Sequence, residues 1–327
     1  CLILFSFAVF FYAFVSRQLK QSQISAMNTL NSSFQTQVDS AIRNLDAVSV
    51  NINYSNQSKT ILDKSFNLNI SSNMLSAMSD LFISLSGTEL KADQVNLYDF
   101  SGYVLEAGIS TMVKKTDGSK DEWIEAAREL EGKKVLTPPY CTREYTKSAT
   151  YDQWFISLYR SFNNQYKRGV GVIETAKQCK SVFKSIITYK KKNHEAAASV
   201  YVFDSNGGLI YPYDISQEYK AALQPYYELT KGDDSALTLA SPLTGRTEYA
   251  AEAVSSYTGY TYLTIQPESV VLAPVYNLLR ILAAIVALFL TVSICCETGK
   301  ASETYYPANG AGLSWSGKSH CLPGFCQ

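Results

Sequence analysis

Gln94-Val95-Asn96-Leu97-Tyr98-Asp99-Phe100-Ser101-Gly102-Tyr103-Val104 is the stretch that decides the fold. Its apolar residues recur with a period of two, break at Asp and Gly, and resume, which reads as strand, tight turn, strand. The pattern returns at Ser199-Val200-Tyr201-Val202-Phe203-Asp204-Ser205-Asn206-Gly207-Gly208-Leu209. At a constant offset of 105 residues, Val95 falls on Val200, Leu97 on Val202, Tyr98 on Phe203, Asp99 on Asp204 and Gly102 on Gly207. In both turns the Asp is suited to cap backbone N–H groups and the Gly to supply a positive φ.

The segments after the two hairpins repeat as well. A helical stretch (122–131, then 215–229) leads into two further strands, 154–162 with 169–174 in the first copy and 246–254 with 260–265 in the second. The turns between those strands fall at 163–168 and 255–259. Agreement in order and spacing predicts two tandem α/β lobes of related fold. Between them, 175–192 reads as a linker helix ending in Lys190-Lys191-Lys192, a run suited to a solvated helix C-terminus. A basic patch touching a membrane or a polyanion is the alternative reading of that run.

Upstream, Met27, Leu30, Phe34, Val38, Ile42, Leu45, Val48 and Ile52 recur at steps of three or four. They form one face of a long helix whose opposite face is Ser, Asn, Gln and Thr. The seam is suited to pack on a domain, on a partner helix, or on both. NYSNQS at 53–58 breaks it, and a second helical stretch comes around 74–85.

Two apolar segments bracket this region. Residues 1–16, CLILFSFAVFFYAFVS, carry no charge and read as a transmembrane helix whose start lies outside the sequence, with a signal-peptide core as the rival. Residues 276–296, YNLLRILAAIVALFLTVSICC, read as a second span, with Arg280 near one end where its side chain can snorkel. The flanking charges do not settle the orientation; the architecture places the central region outside the cell.

Composition narrows the function classes. The 29 basic and 29 acidic residues balance among 327, so no global field points to nucleic acid. Seven cysteines include no CxxC pair, and with only His194 and His320 available no zinc site is expected. Cys141 and Cys179 alone fall in the outer region, where they could form one disulfide or remain two thiols. There is no GxSxG, Walker loop, HExxH or GxGxxG, and no cofactor motif. His194 sits in a polar linker and Asp233-Asp234 reads as a turn. No enzyme is expected in this chain.

Taken in order, these features resemble the double Cache sensor over residues 17–270. The resemblance rests on Trp123 and its helix, on Lys134-Val135-Leu136-Thr137-Pro138-Pro139-Tyr140, on Arg168-Gly169-Val170-Gly171-Val172-Ile173-Glu174, and on 200–209. Ile173-Glu174 and Gln266-Pro267-Glu268-Ser269 look most like the sensor half of YesM-like histidine kinases of Gram-positive bacteria. The resemblance implies an α+β fold: a long N-terminal helix with two tandem PAS-like antiparallel lobes between two transmembrane helices. It also implies a ligand pocket in the first, membrane-distal lobe, lined by Trp123 and Tyr140, with Glu174 where many members have Asp. Amino-acid-binding members carry Arg and Tyr where this chain has Asp121 and Ile124. That departure argues against an amino acid held in the usual way and leaves a cation, a sugar or a peptide. Trp154 and Arg160 share a face of one strand and are further candidates, while Tyr159 points the other way. For Trp123 the alternative is a residue packing helix on sheet.

The resulting organisation is a transmembrane helix at 1–16, a long extracellular helix at 17–60, and a distal lobe with its linker at 61–192. A proximal lobe at 193–270 and a second transmembrane helix at 271–296 come next. The tail at 297–327 has no heptad pattern and reads as truncated or frame-shifted. The expected role is extracellular small-molecule sensing at the plasma membrane by a homodimeric, two-pass receptor with the bilayer as its other partner. A histidine kinase is the first expectation for its output and a methyl-accepting chemoreceptor the second. A membrane-anchored adhesion or structural protein is the alternative of another class.

Overall fold

The computed structural model describes residues 2–63, 72–87, 90–145, 153–163, 169–193, 198–229 and 236–303. The turn at 164–168, His194, Asp233-Asp234 and the tail beyond 303 lie outside the described residues. The elements run α1 (Leu2–Tyr54), α2 (Asn56–Asp63), α3 (Ser72–Ser86), β1 (Gln94–Asp99), β2 (Tyr103–Gly108), β3 (Met112–Lys115) and α4 (Asp121–Glu129). Then come β4 (Val135–Leu136), β5 (Tyr140–Thr142), β6 (Gln153–Asn163), β7 (Gly169–Gln178), α5 (Cys179–Val182) and α6 (Lys184–Asn193). The second half is β8 (Ser199–Phe203), β9 (Leu209–Tyr211), α7 (Gln217–Leu229), β10 (Ala236–Ala240), β11 (Thr247–Val254), β12 (Thr261–Pro267), α8 (Glu268–Val271) and α9 (Ala273–Glu303). The chain divides into two compact units, Cys1–Leu272 and Ala273–Gln327.

α1 runs unbroken for 53 residues, with no Gly or Pro from Leu2 to Tyr54 to interrupt it. Met27, Phe34, Val38, Ile42, Leu45, Val48 and Ile52 are buried and Leu30 is half-buried, so the seam predicted from sequence is the packing face. The outer face satisfies its own hydroxyls: Thr29, Ser32 and Thr36 each donate to the carbonyl four residues earlier. The helix packs on β6 and β7 in one sheet and on β11 and β12 in the other.

The two sheets carry the sequence repeat into topology. The first has the order β3-β2-β1-β7-β6-β4, with β5 also pairing with β6; the second has β10-β11-β12-β8-β9. The path β2-β1-β7-β6 therefore matches β9-β8-β12-β11, and every pairing is antiparallel. Both hairpin turns are built as the sequence predicts. Asp99 accepts from the backbone N–H of Ser101 and Tyr103, and Asp204 from those of Asn206 and Gly208. Gly102 and Gly207 take φ of +86° and +88°. Each lobe also ends alike. β7 and β12 leave the sheet through an extended residue, Gln178 or Pro267, into a four-residue helix and then a longer one.

Two expectations need correction. The segment 175–178 is strand, not the start of the linker helix, because Thr175 is buried and donates to the Leu45 carbonyl of α1 (3.2 Å). Tertiary burial overrides local pattern there. Cys141 and Cys179 are not disulfide-bonded: Cys141 is exposed on β5 and Cys179 is buried at the start of α5. Cys141 lies opposite Trp154, and Phe155 lies opposite Gln178, so β6 separates the two thiols. Two strand spacings, roughly 9.5 Å, exceed the reach of a disulfide.

Polar contacts fix where α1 sits on both sheets. Asn31 donates to the Ala251 carbonyl (2.7 Å) and accepts from Thr264. Asp39 accepts from Ser255 (2.7 Å) and Thr258 (3.2 Å). Asp46 binds Arg160 and Lys134 of the first lobe and accepts from Tyr257 of the second (2.6 Å). Removing the centre of the apolar seam by Leu45→Ala should cost about 2–5 kcal/mol, whereas Ser40→Ala on the outer face should stay within about 0.5 kcal/mol. Urea unfolding of the two variants checks this.

Candidate functional site

The first sheet buries both faces, and the period of two sorts its residues between them. Ile156, Leu158 and Ile173 join the core beneath α1. Asn96 and Tyr98 on β1, Ser157 and Tyr159 on β6, and Glu174 on β7 occupy the other face, beneath α4. The register places Glu174 directly opposite both Asn96 and Tyr159.

Glu174 is fully buried and accepts from many donors. Ser157 (2.6 Å), Tyr98 (2.7 Å), Asn96 (2.7 Å), Tyr140 (2.9 Å), Tyr145 (3.2 Å) and the Lys120 ammonium (3.3 Å) all reach its two oxygens. Burial by itself would raise its pKa. The Lys120 charge and the hydrogen bonds from Ser157, Tyr98 and Asn96 outweigh that and hold it down, to about 2. Tyr98, Tyr140, Tyr145 and Tyr159 are pushed well above the usual phenol value by burial and by the Glu174 charge. The phenols therefore stay protonated at neutral pH. Trp123 of α4 stacks at a tilt on Tyr140 and Tyr159, with ring centroids 5.1 and 5.8 Å apart.

Of the five residues singled out from sequence, Trp123, Tyr140 and Glu174 come together here. Trp154 and Arg160 share a face as expected, but it is the opposite one. Trp154 packs on Tyr213 of the second lobe (5.8 Å). Arg160 is engaged by Asp46 and Ser49 of α1 and by the Gly132 carbonyl. Asn96, Tyr98, Lys120, Tyr145 and Ser157 were missed. The signal available was polar Asn96 between apolar Val95 and Leu97 in β1; no local pattern marks Lys120 or Tyr145, which reach the site from loops. Among the described residues, no group of three or more His, Cys, Asp and Glu is placed to hold a metal ion.

Among the described residues, the second lobe has no equivalent of the Glu174 cluster at the matching position. At the offset of the repeat Asn96 falls on Tyr201, and the residue opposite Tyr201 is Leu263, which also stands opposite Glu252. Leu263 lies in an apolar cluster with Phe203, Leu223 and Ile265. The position of Glu174 in the first lobe is thus taken by Leu263 in the second, where the buried carboxylate is instead Glu248, accepting from Tyr226 (2.8 Å).

No family model matches the chain, and no curated protein matches it in sequence. Solved structures match its fold. The sensory domain of the Campylobacter jejuni chemoreceptor Tlp3 aligns with 79% of this chain and 99% of its own at 14% identity and a TM-score of 0.54. The periplasmic sensory domain of the C. jejuni chemoreceptor Tlp1 aligns with 78% and 99% at 13% identity and a TM-score of 0.54. A domain of a sensory box/GGDEF family protein from Vibrio parahaemolyticus aligns with 77% and 99% at 11% identity and a TM-score of 0.56.

A carboxyl group whose pKa falls from 4.5 to about 2 on folding contributes stability that is complete above its unfolded pKa. That stability is lost as pH drops through the folded value, and amounts to about 3 kcal/mol. Between pH 4.5 and 2 the wild type should therefore lose stability more steeply than Glu174→Gln. Urea midpoints across that window check the difference in slope. With its duplicated sheets, shared α1 and fold-level matches, the chain has the Cache-like sensor-domain fold.

Proposed function

We propose that the chain is the extracellular sensor part of a two-pass bacterial membrane receptor, and that its ligand binds in the first lobe at Glu174. The observation that carries this reading is the fully buried, ionised carboxylate walled by Tyr140 and Trp123 in a Cache-like fold. A charge withheld from water at such cost is suited to grip a ligand group of opposite charge, with aromatic rings providing apolar contact. Solved structures of this fold include that of Tlp3 with L-norvaline. That likeness supports small-molecule sensing and leaves the identity of the ligand here to this chain's own residues.

α9 supports the membrane reading. Ala273–Ile294 spans 22 residues with a mean hydropathy of 2.2 and none of its apolar window buried. At 1.5 Å per residue its length is about 33 Å, against about 30 Å of bilayer hydrocarbon. Residues 1–16 form the proposed first span, at the start of α1. Ligand binding then biases two arrangements of the lobes and helices by its different affinity for each, within a dimer. The resemblance to YesM-like sensors favours a histidine kinase as the output. A chemoreceptor is the second reading, favoured by the Tlp1 and Tlp3 folds.

Thermal unfolding of the wild type against amines, amino acids, sugars, organic acids and short peptides tests the sensor. One compound should raise the midpoint by mass action, and Tyr140→Ala or Glu174→Ala should abolish the shift. A structural or adhesive role predicts no shift from any compound. Autophosphorylation from ATP by the full-length receptor supports the kinase output, and reversible carboxyl methylation the chemoreceptor.

A further inference from the structure

Lys120, immediately before α4, points its ammonium into the site. It lies 3.3 Å from Glu174 and 3.2 Å from Glu144, and donates to the Tyr145 hydroxyl. The rings of Tyr145 and Tyr140 stand 4.6 and 5.8 Å from it. Carboxylates and aromatic faces around one nitrogen form a cage for an alkylammonium ion, and the cage is filled by the chain's own side chain. The cleft beside Lys120 has room of about 20 Å³, enough for a water but not for a second amine.

Carboxylates outnumber ammonium groups in the ion pairs among the described residues: Glu106, Glu144 and Glu174 meet Lys114 and Lys120, and Asp117 and Asp121 line the same cleft. A second sign of an incomplete site is independent of charge. The Tyr159 hydroxyl is buried and has no hydrogen-bond partner among the described residues. Tyr159 stands directly opposite Glu174 and so faces the same side of the sheet.

We propose that Lys120 is a tethered occupant of the Glu174 site, and that the ligand is a primary alkylammonium compound without a carboxylate that takes its place. This deepens the sensor reading and rests on its assignment of the site. The cleft beside Lys120 leaves no room for a second ammonium group at Glu174, so one must leave. Lys120 has somewhere to go, because Glu144 already contacts it and is partly exposed. The exchange adds a cation to a cluster rich in carboxylates, so the ligand needs no anionic group of its own. Lys120 also sets the affinity, since the site binds only in the fraction of molecules in which the tether has left it. Moving Lys120 shifts the start of α4 and provides the first displacement of the signal.

The test uses the full chain in detergent micelles, with n-propylammonium as the probe because it replaces the atoms that Lys120→Ala removes. Lys120→Ala should melt below wild type and recover saturably with n-propylammonium, at concentrations about tenfold or more below any that affect wild type. 1-Propanol and 4-aminobutanoate should not restore it, and adding Glu174→Gln should abolish the recovery. Lys120→Ser, which vacates the same space, is judged by the same criterion and serves if Lys120→Ala does not fold. Equal stabilisation of wild type and variant, stabilisation of neither, or rescue by 4-aminobutanoate in preference to the amine overturns the proposal. The sensor reading fails separately, if no compound in the broad screen shifts the wild type. A ligand from that screen with equal affinity for wild type and Lys120→Ala sinks the exchange and leaves the sensor standing.

Discussion

The apolar seam of α1 from Met27 to Ile52 is the constraint on which the fold rests. Each sheet has a face that needs cover, and the same helix supplies it to β6 and β7 in one lobe and to β11 and β12 in the other. Apolar burial alone is non-directional and would tolerate some sliding of a long helix. Asn31, Asp39 and Asp46 remove that freedom, because each meets polar partners that exist at one position of the helix. Asp46 is the most informative of them. It joins Arg160 and Lys134 of the first lobe to Tyr257 of the second, so a shift of either lobe along α1 disturbs a shared set of contacts.

With α1 covering one face of the first sheet, the other face can be polar. Glu174 stays charged in a dry site because its donors arrive from four places: strands β1 and β6, the segment around Tyr140 and Tyr145, and the residue before α4. A partly satisfied network of this kind would be worse than an apolar core. The second lobe shows that alternative, with Leu263 at the matching position among Phe203, Leu223 and Ile265. The two lobes share strand order, turn chemistry and exit geometry, and differ in what the covered face holds.

Much of this was legible along the chain. The α1 seam follows from spacing alone, and its apolar residues are buried with Leu30 partly so. The repeated Asp and Gly predicted both hairpin turns, because a capped turn with positive φ is a local requirement that few residues meet. Trp123, Tyr140 and Glu174 were picked out through a resemblance, and the structure brings them together. Trp154 and Arg160 were picked out because the period of two says which residues share a face. It does not say which of two buried faces carries Glu174 and which packs on α1.

The sequence by itself therefore determined whatever short-range geometry dictates: helix face, strand alternation, turn chemistry and the duplication of one lobe. Tertiary structure alone decided the rest. It turned Arg160 toward α1, drew 175–178 into strand β7, and put β6 between Cys141 and Cys179. It also carried Lys120 and Tyr145 from distant loops onto Glu174. Each of these depends on contacts between residues far apart in the chain, where burial and charge pairing outweigh the local preferences that a sequence displays.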